Sequence, residues 1–237
     1  MSHSYFRLRY AIKLWYHLNG KEKIWFGAFI VIVLFSISFL IGNFYRGQTD
    51  LVPAFGGTYV EGLSDSPHNL NPVLSTNDPD RDISRLIFSS LLKHNETGEL
   101  VPDLASSYSI SKDAKIYTVK LKDGISWHDG EPFTSEDVIF TINAIQNPEY
   151  ASPLRTSWQG VKAETTDKNT LVLTLKTPYG AFIENLALLG ILPKHIWKNV
   201  LDDEFSFSQF NTLPIGSGPY KVERVERNSG GIPDFYR

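Results

Sequence analysis

Histidine is the side chain best suited to proton transfer and metal ligation near neutral pH, and the sequence holds six: His3, His17, His68, His94, His128 and His195. No two stand three or four positions apart, the spacing that places two ligands on one helix face, so no metal site is legible. His128 lies in Trp127-His-Asp-Gly130, where a His–Asp catalytic pair suggests itself. Adjacent residues usually point to different faces, and Asp-Gly favours a turn, so the tetrapeptide reads as a structural turn. The acidic run Asp202-Asp-Glu204 has no second cluster to complete a calcium loop and reads as solvated surface. Gly216-Ser-Gly218 lacks the third glycine of a dinucleotide fingerprint and precedes a strand rather than a helix. Asn95-Glu-Thr97 matches a glycosylation acceptor, a pattern short enough to arise often by chance. The sequence contains no phosphate-binding loop, zincin helix or serine-hydrolase elbow. It also contains no cysteine, which removes disulfides, thiolate metal sites, cysteine nucleophiles and a lipid-modified N-terminal Cys. The expectation is a protein that is not an enzyme and carries no cofactor or metal.

Aromatic side chains are plentiful, with 5 Trp, 11 Tyr and 15 Phe. Tyr150, Trp158 and Tyr179 stand beside polar residues in expected loops. Such rings serve as walls for small amphipathic solutes, and ordinary core packing uses the same residues.

The 237 residues are 42% hydrophobic and 21% charged, a composition that excludes disorder and fibre. A formal charge of −3 gives no sign of a nucleic-acid partner. The charge is unevenly placed. Residues 1–23 carry Arg7, Arg9, Lys13, Lys21 and Lys23 against Glu22, whereas the chain from residue 46 onward is net acidic. Between them, Ile24 to Tyr45 has no ionisable group but Tyr45. About 20 apolar residues in a helix cross a bilayer, because the helix satisfies its own backbone there. The basic side stays inside and the bulk of the chain is carried out. A cleaved signal peptide is the competing reading, but its apolar region is usually about 7–15 residues and ends at a small-x-small site. Here the run is longer and ends Leu40-Ile-Gly-Asn-Phe-Tyr45. The expected organisation is a cytoplasmic basic segment at 1–23, a transmembrane anchor at 24–45, a linker at 46–56 and an extracytoplasmic domain at 57–237.

That domain reads as mixed α/β. Thr58 to Leu63 is expected as a strand and Ser84 to Leu92 as a short helix, with Ile83, Leu86, Ile87 and Leu91 at helical spacing. Two hairpins follow. One pairs Ser107–Ile110 with Ile116–Leu121, and the other pairs Val161–Thr165 with Thr170–Lys176. Between them Thr134 caps a helix, with Asp137 three residues on, and Asn147-Pro148 ends it. A further helix is expected at Ala181–Leu189 and a strand at Tyr220–Val225.

Several segments in order resemble the N-terminal half of family 5 extracellular solute-binding proteins, the peptide- and nickel-binding components of ABC importers. They are Leu70-Asn-Pro72, Ile87-Phe-Ser-Ser-Leu-Leu92, Leu100-Val-Pro-Asp-Leu-Ala105 with Tyr108, the long stretch Tyr117 to Val138, Leu192-Pro-Lys-His195 and Gly216-Ser-Gly-Pro-Tyr220. The resemblance implies one lobe of a type II periplasmic-binding-protein fold, with the second lobe absent or truncated. It implies an extracytoplasmic component that captures peptides or similar small solutes and delivers them to ABC permease subunits; the membrane anchor expected from the apolar run is a departure from the family, in which a lipid-attached Cys or a cleaved signal is usual. A membrane-tethered sensory or interaction domain on the same scaffold is the alternative. By the same resemblance the first strand and its loop face the cleft. Glu61, Ser64 and Asn71 are then the polar ligand-binding candidates, with Trp158 as an aromatic wall.

Overall fold

A computed structural model of the chain describes residues 19–48, 63, 65–222, 224–227 and 233–236. By its contacts the chain divides into two units, Met1–Gly57 and Thr58–Arg237. In the first, helix α1 runs Gly20–Gln48 and includes the apolar stretch. Its 29 residues rise about 1.5 Å each, enough for the roughly 30 Å apolar core of a bilayer. Large apolar side chains such as Trp25, Phe29, Phe35 and Leu40 lie exposed along it.

In the second unit, helix α2 spans Asp78–Ile87, where the sequence pattern placed a helix at Ser84–Leu92. Its start is set by a cap that the apolar pattern does not show. The Asn77 side chain accepts from the Asp80 N–H at 2.8 Å, and Pro79 fits the first turn because no N–H is needed there. Its end is set from far along the chain. Gly218 N–H donates to the Ile87 carbonyl at 2.7 Å and Tyr220 N–H to the Leu86 carbonyl at 3.0 Å. Helices leave their last carbonyls unpaired, and the segment 216–220 supplies the missing donors. The chain then turns extended at Phe88, and Leu91 and Leu92 enter the core from a connecting segment and strand β1 (Leu92–His94) rather than from a helix. Strand β1 pairs with β2 (Leu100–Pro102).

A four-stranded antiparallel sheet follows, built from the two expected hairpins. Strands β3 (Ala105–Ile110) and β4 (Ile116–Leu121) form the first. Strands β5 (Lys162–Asp167) and β6 (Thr170–Thr174) form the second, and β4 pairs with β6 to give the order β3-β4-β6-β5. Alternation assigns Tyr117, Val119, Leu121, Leu171 and Leu173 to the buried face and leaves Thr118, Lys120, Thr170 and Thr174 outward. Helix α3 (Ser135–Gln146) packs beside β5 and buries Val138, Ile142 and Ile145. The Asp137 carboxylate accepts from the Thr134 N–H at 2.8 Å, the acidic half of a capping box. Short helices α4 (Arg155–Trp158), α5 (Phe182–Leu188) and α6 (Lys194–Trp197) close over the core. Phe182 joins Tyr117 and Trp158 in edge-to-face contacts with centroids 5.0 and 5.2 Å away. The last described pair is β7 (Arg224–Arg227) with β8 (Pro233–Tyr236). The strand expected from Tyr220 therefore begins at 224, because the Tyr220 N–H is already engaged by α2. The strand expected at Thr58–Leu63 lies, apart from Leu63, outside the described residues.

The crossing of 216–218 over α2 leaves no room for a side chain. A Cβ on Gly216 would stand 2.0 Å from the Ile87 carbonyl oxygen, whereas one on Gly180 would meet nothing within 4 Å. Thermal melts should therefore show G216A destabilised by about 3 kcal/mol, while G180A stays within about 0.5 kcal/mol of the parent. Equal melting of the two variants would contradict the packing described.

Candidate functional site

Two segments flank α2, one tied to its first turn and one to its last. The first is the loop 66–75. Asp80, 2% exposed, accepts from the backbone N–H of His68 at 2.7 Å and of Asn69 at 3.2 Å. Asn69 Oδ1 accepts from the Asn71 N–H at 3.0 Å, and Asn71 Oδ1 accepts from the Val73 N–H at 2.9 Å. Asn71 Nδ2 donates to Asn211 Oδ1 at 3.0 Å, Asn211 Nδ2 donates to the Phe205 carbonyl, and Leu70 N–H donates to the Asn211 carbonyl. Buried amides that use both ends in this way lock a loop because leaving any one unpaired is costly. The loop thus fixes the chain leading back to Asp65 and Ser66, which are exposed and half-buried.

The second segment is the crossing 216–220. The Ser89 hydroxyl donates to the Ser217 carbonyl at 3.3 Å, and Ser90 bridges Gly190 across the core edge. On its other side the crossing meets the Trp127-His-Asp-Gly130 turn. His128 N–H donates to the Gly216 carbonyl, and the His128 ring contacts Gly216 and Gly218. The turn reading of this tetrapeptide agrees with Gly130 at φ 93°. Each of its side chains goes elsewhere. Trp127 enters the core, His128 holds the crossing, and Asp129 meets His195 Nε2 at 2.8 Å.

Of the four residues named as ligand candidates, two are among the described residues, Asn71 and Trp158. Glu61 and Ser64 lie outside the described residues. Asn71 is 0% exposed with its amide spent inside the lobe, and Trp158 is 1% exposed against Phe182. Both side chains are buried within the lobe in this structure. Trp158 was chosen for polar neighbours in sequence, but the helical turn α4 rotates its ring inward. Of the other aromatic candidates, Tyr150 stacks on Phe205 at 3.9 Å, and burial together with its bond to Asp202 pushes its hydroxyl up to about 12. Tyr179 is exposed. Asp80, Asn211 and His128 carry the positioning and were not singled out for it. Asn77-Asp-Pro-Asp80 was the readable cue for Asp80, since it matches a capped helix start; contacts across more than a hundred residues leave no local cue.

Burial pushes the Asp137 carboxyl up against the opposing N–H groups of Thr134 and Lys194. At Asp129 burial also works upward, but the hydrogen bond from His195, the Glu131 N–H and the His195 charge outweigh it and hold the carboxyl below its ordinary value. The two histidine–carboxylate pairs, His195–Asp129 and His94–Glu184, have no hydroxyl bonded to their rings among the described residues. No cluster of three metal-ligating side chains occurs among the described residues.

The sequence profile of the bacterial extracellular solute-binding proteins, family 5 Middle, matches residues 99–231. The chain belongs to this family. The oligopeptide-binding protein AppA of Bacillus subtilis is 34% identical over 174 residues, covering 72% of this chain and 32% of its own length. The structure of AppA from Bacillus subtilis in complex with a nonapeptide superposes with a TM-score of 0.66 at 32% identity, over 69% of this chain and 33% of that one. NikZ from Campylobacter jejuni, in complex with Ni(L-His), superposes with a TM-score of 0.63 at 38% identity, over 69% and 32%. The glutathione-binding protein GsiB of Pectobacterium atrosepticum is 31% identical over 78% of this chain and 36% of its own. The family 5 chain thus has the mixed α/β fold of a type II periplasmic binding protein, and it spans about a third of the length of the relatives it matches.

The Asp129–His195 pair has a signed consequence for pH. A carboxyl held below its ordinary value of 3.8 adds stability that is complete above that value and is lost as pH falls through the lower folded one. Urea unfolding of D129N should be easier than the parent by up to about 1 kcal/mol at neutral pH, with the gap closing in strong acid. A gap that persists in strong acid would assign the effect to packing.

Proposed function

We propose that this family 5 chain supplies one wall of an extracytoplasmic solute site serving an ABC importer, with oligopeptides as the solute. The observation that carries the reading is the family match over 99–231 together with its likeness to the nonapeptide-bound AppA lobe. The described geometry supports recognition rather than bond making. Two rigid segments flank α2, and their outer residues include Asp65, Ser66 and Ser217. In the relatives about two thirds of the length lies beyond this match, and we place the opposing wall there. Closure of two walls around a solute couples affinity to conformation, which is how a permease would distinguish loaded from empty protein. Glu61 and Ser64 stay as ligand-facing residues in this reading, with Glu61 meeting a ligand ammonium.

The N-terminal helix is read as an uncleaved anchor. It is long and apolar enough to cross a membrane from Gly20 to Phe44, and its first turns carry Lys21 and Lys23 on the side expected to stay inside. Anchoring holds the solute site near its permease and raises effective concentration without new contacts.

Deleting the chain in its host should lower uptake of labelled oligopeptides, and re-expression should restore it. Unchanged uptake of oligopeptides, nickel–histidine and glutathione alike would overturn the importer reading. Calorimetry of the 237-residue chain with the same peptides should show binding weaker than about 10 μM, since one wall leaves the ligand in water; submicromolar binding would mean that this lobe encloses a site by itself. Sequencing the N-terminus of the exported protein should find residues upstream of Tyr45, and a start beyond Tyr45 would remove the anchor.

A further inference from the structure

The His128 ring makes two hydrogen bonds to one short segment, and their directions fix its chemistry. The Gly216 N–H can only donate, so Nδ1, 3.2 Å away, must be the acceptor. The Gly218 carbonyl can only accept, so Nε2, 2.9 Å away, must carry the proton. One neutral tautomer satisfies both. The His128 N–H adds a third bond to the Gly216 carbonyl at 2.9 Å. The crossing is thereby gripped between this turn on one side and the Leu86 and Ile87 carbonyls of α2 on the other. A second proton, placed on Nδ1, would face the Gly216 N–H, donor against donor.

We propose that His128 is the positioning residue of the 216–220 crossing and that protonation of its ring breaks the Gly216 N–H bond to Nδ1 and so loosens that segment against the Trp127–Gly130 turn. The titratable and charged residues on the elements that meet at the crossing are Asp129 and Glu131 beside His128 in sequence, Lys194 and His195 on α6, Asp78, Asp80, Arg81, Asp82 and Arg85 on α2, and Lys221 just past the crossing. Asp129 is engaged by His195, and Lys194 by Glu136. Among the described residues no carboxylate forms an ion pair with the His128 ring. A charged ring there loses an acceptor function and gains no counter-ion. The latch acts on the backbone between α2 and β7 whether or not a solute is bound, so its test is separate from the uptake test.

Amide exchange of the full chain in micelles, followed by NMR and corrected for intrinsic rates, reads the latch directly. On acidification from neutral pH until the ring nitrogen shifts show His128 protonated, protection of the Gly216 amide should fall roughly tenfold. H128N keeps an acceptor near the Nδ1 position and does not titrate, so its Gly216 protection should stay flat. H195Q removes the neighbouring ionisable ring and should keep the full parental response. Ring nitrogen shifts of the parent should show the Nε2–H tautomer near neutrality and should titrate with the same midpoint as Gly216 protection, a readout that stands even if H128N fails to fold. An equal pH response in H128N, loss of the response in H195Q, an Nδ1–H tautomer, or two different midpoints would each overturn the proposal.

Discussion

The lobe depends on one close approach, the backbone of Gly216 and Gly218 against the last carbonyls of α2. Removing a side chain from each position allows a carbonyl and an N–H to meet at 2.7 Å where any Cβ would collide. That contact ends α2, frees Phe88 to turn extended, and so lets Leu91 and Leu92 enter the core. It also directs the chain toward β7 along a fixed line. A helix C-terminus ordinarily finishes with a residue in left-handed conformation or with water; here a distant irregular segment does the finishing.

The two hairpins, the capped helix α3 and helix α5 were legible because their signals are local. Alternation around Lys112-Asp-Ala114 and Asp167-Lys-Asn169 sets strand faces, and Thr134 with Asp137 sets a helix start, all within a few residues. Helix α2 was misplaced because apolar spacing at Ile83, Leu86, Ile87 and Leu91 outweighed the cap at Asn77, and because nothing near Ile87 reveals the donors that stop it. The strand from Tyr220 was begun too early for the same reason.

The site was less legible than the fold. Asn71 lies in a loop, and its amide bonds Asn211 and Val73. Polarity in a sequence does not say whether a side chain faces water or satisfies a buried backbone. His128 shows the converse. Reading it as part of a turn was sound, yet the turn's side chains are what join it to residues some ninety positions onward. Family resemblance rested on these same fold-building residues, so it identified the scaffold more firmly than the solute.

The partners of the early loops are made late. Asn71 waits for Asn211, 140 residues on, and Ser89 for Ser217, 128 residues on. Strands β3 to β6 can zip from neighbouring turns, whereas these closures carry the larger entropic toll of long loops. During synthesis α2 therefore has open carbonyls until nearly the whole stretch to Tyr220 has left the ribosome. A helix end that must await such distant donors leaves the early part of the lobe pliable until its last turns are made.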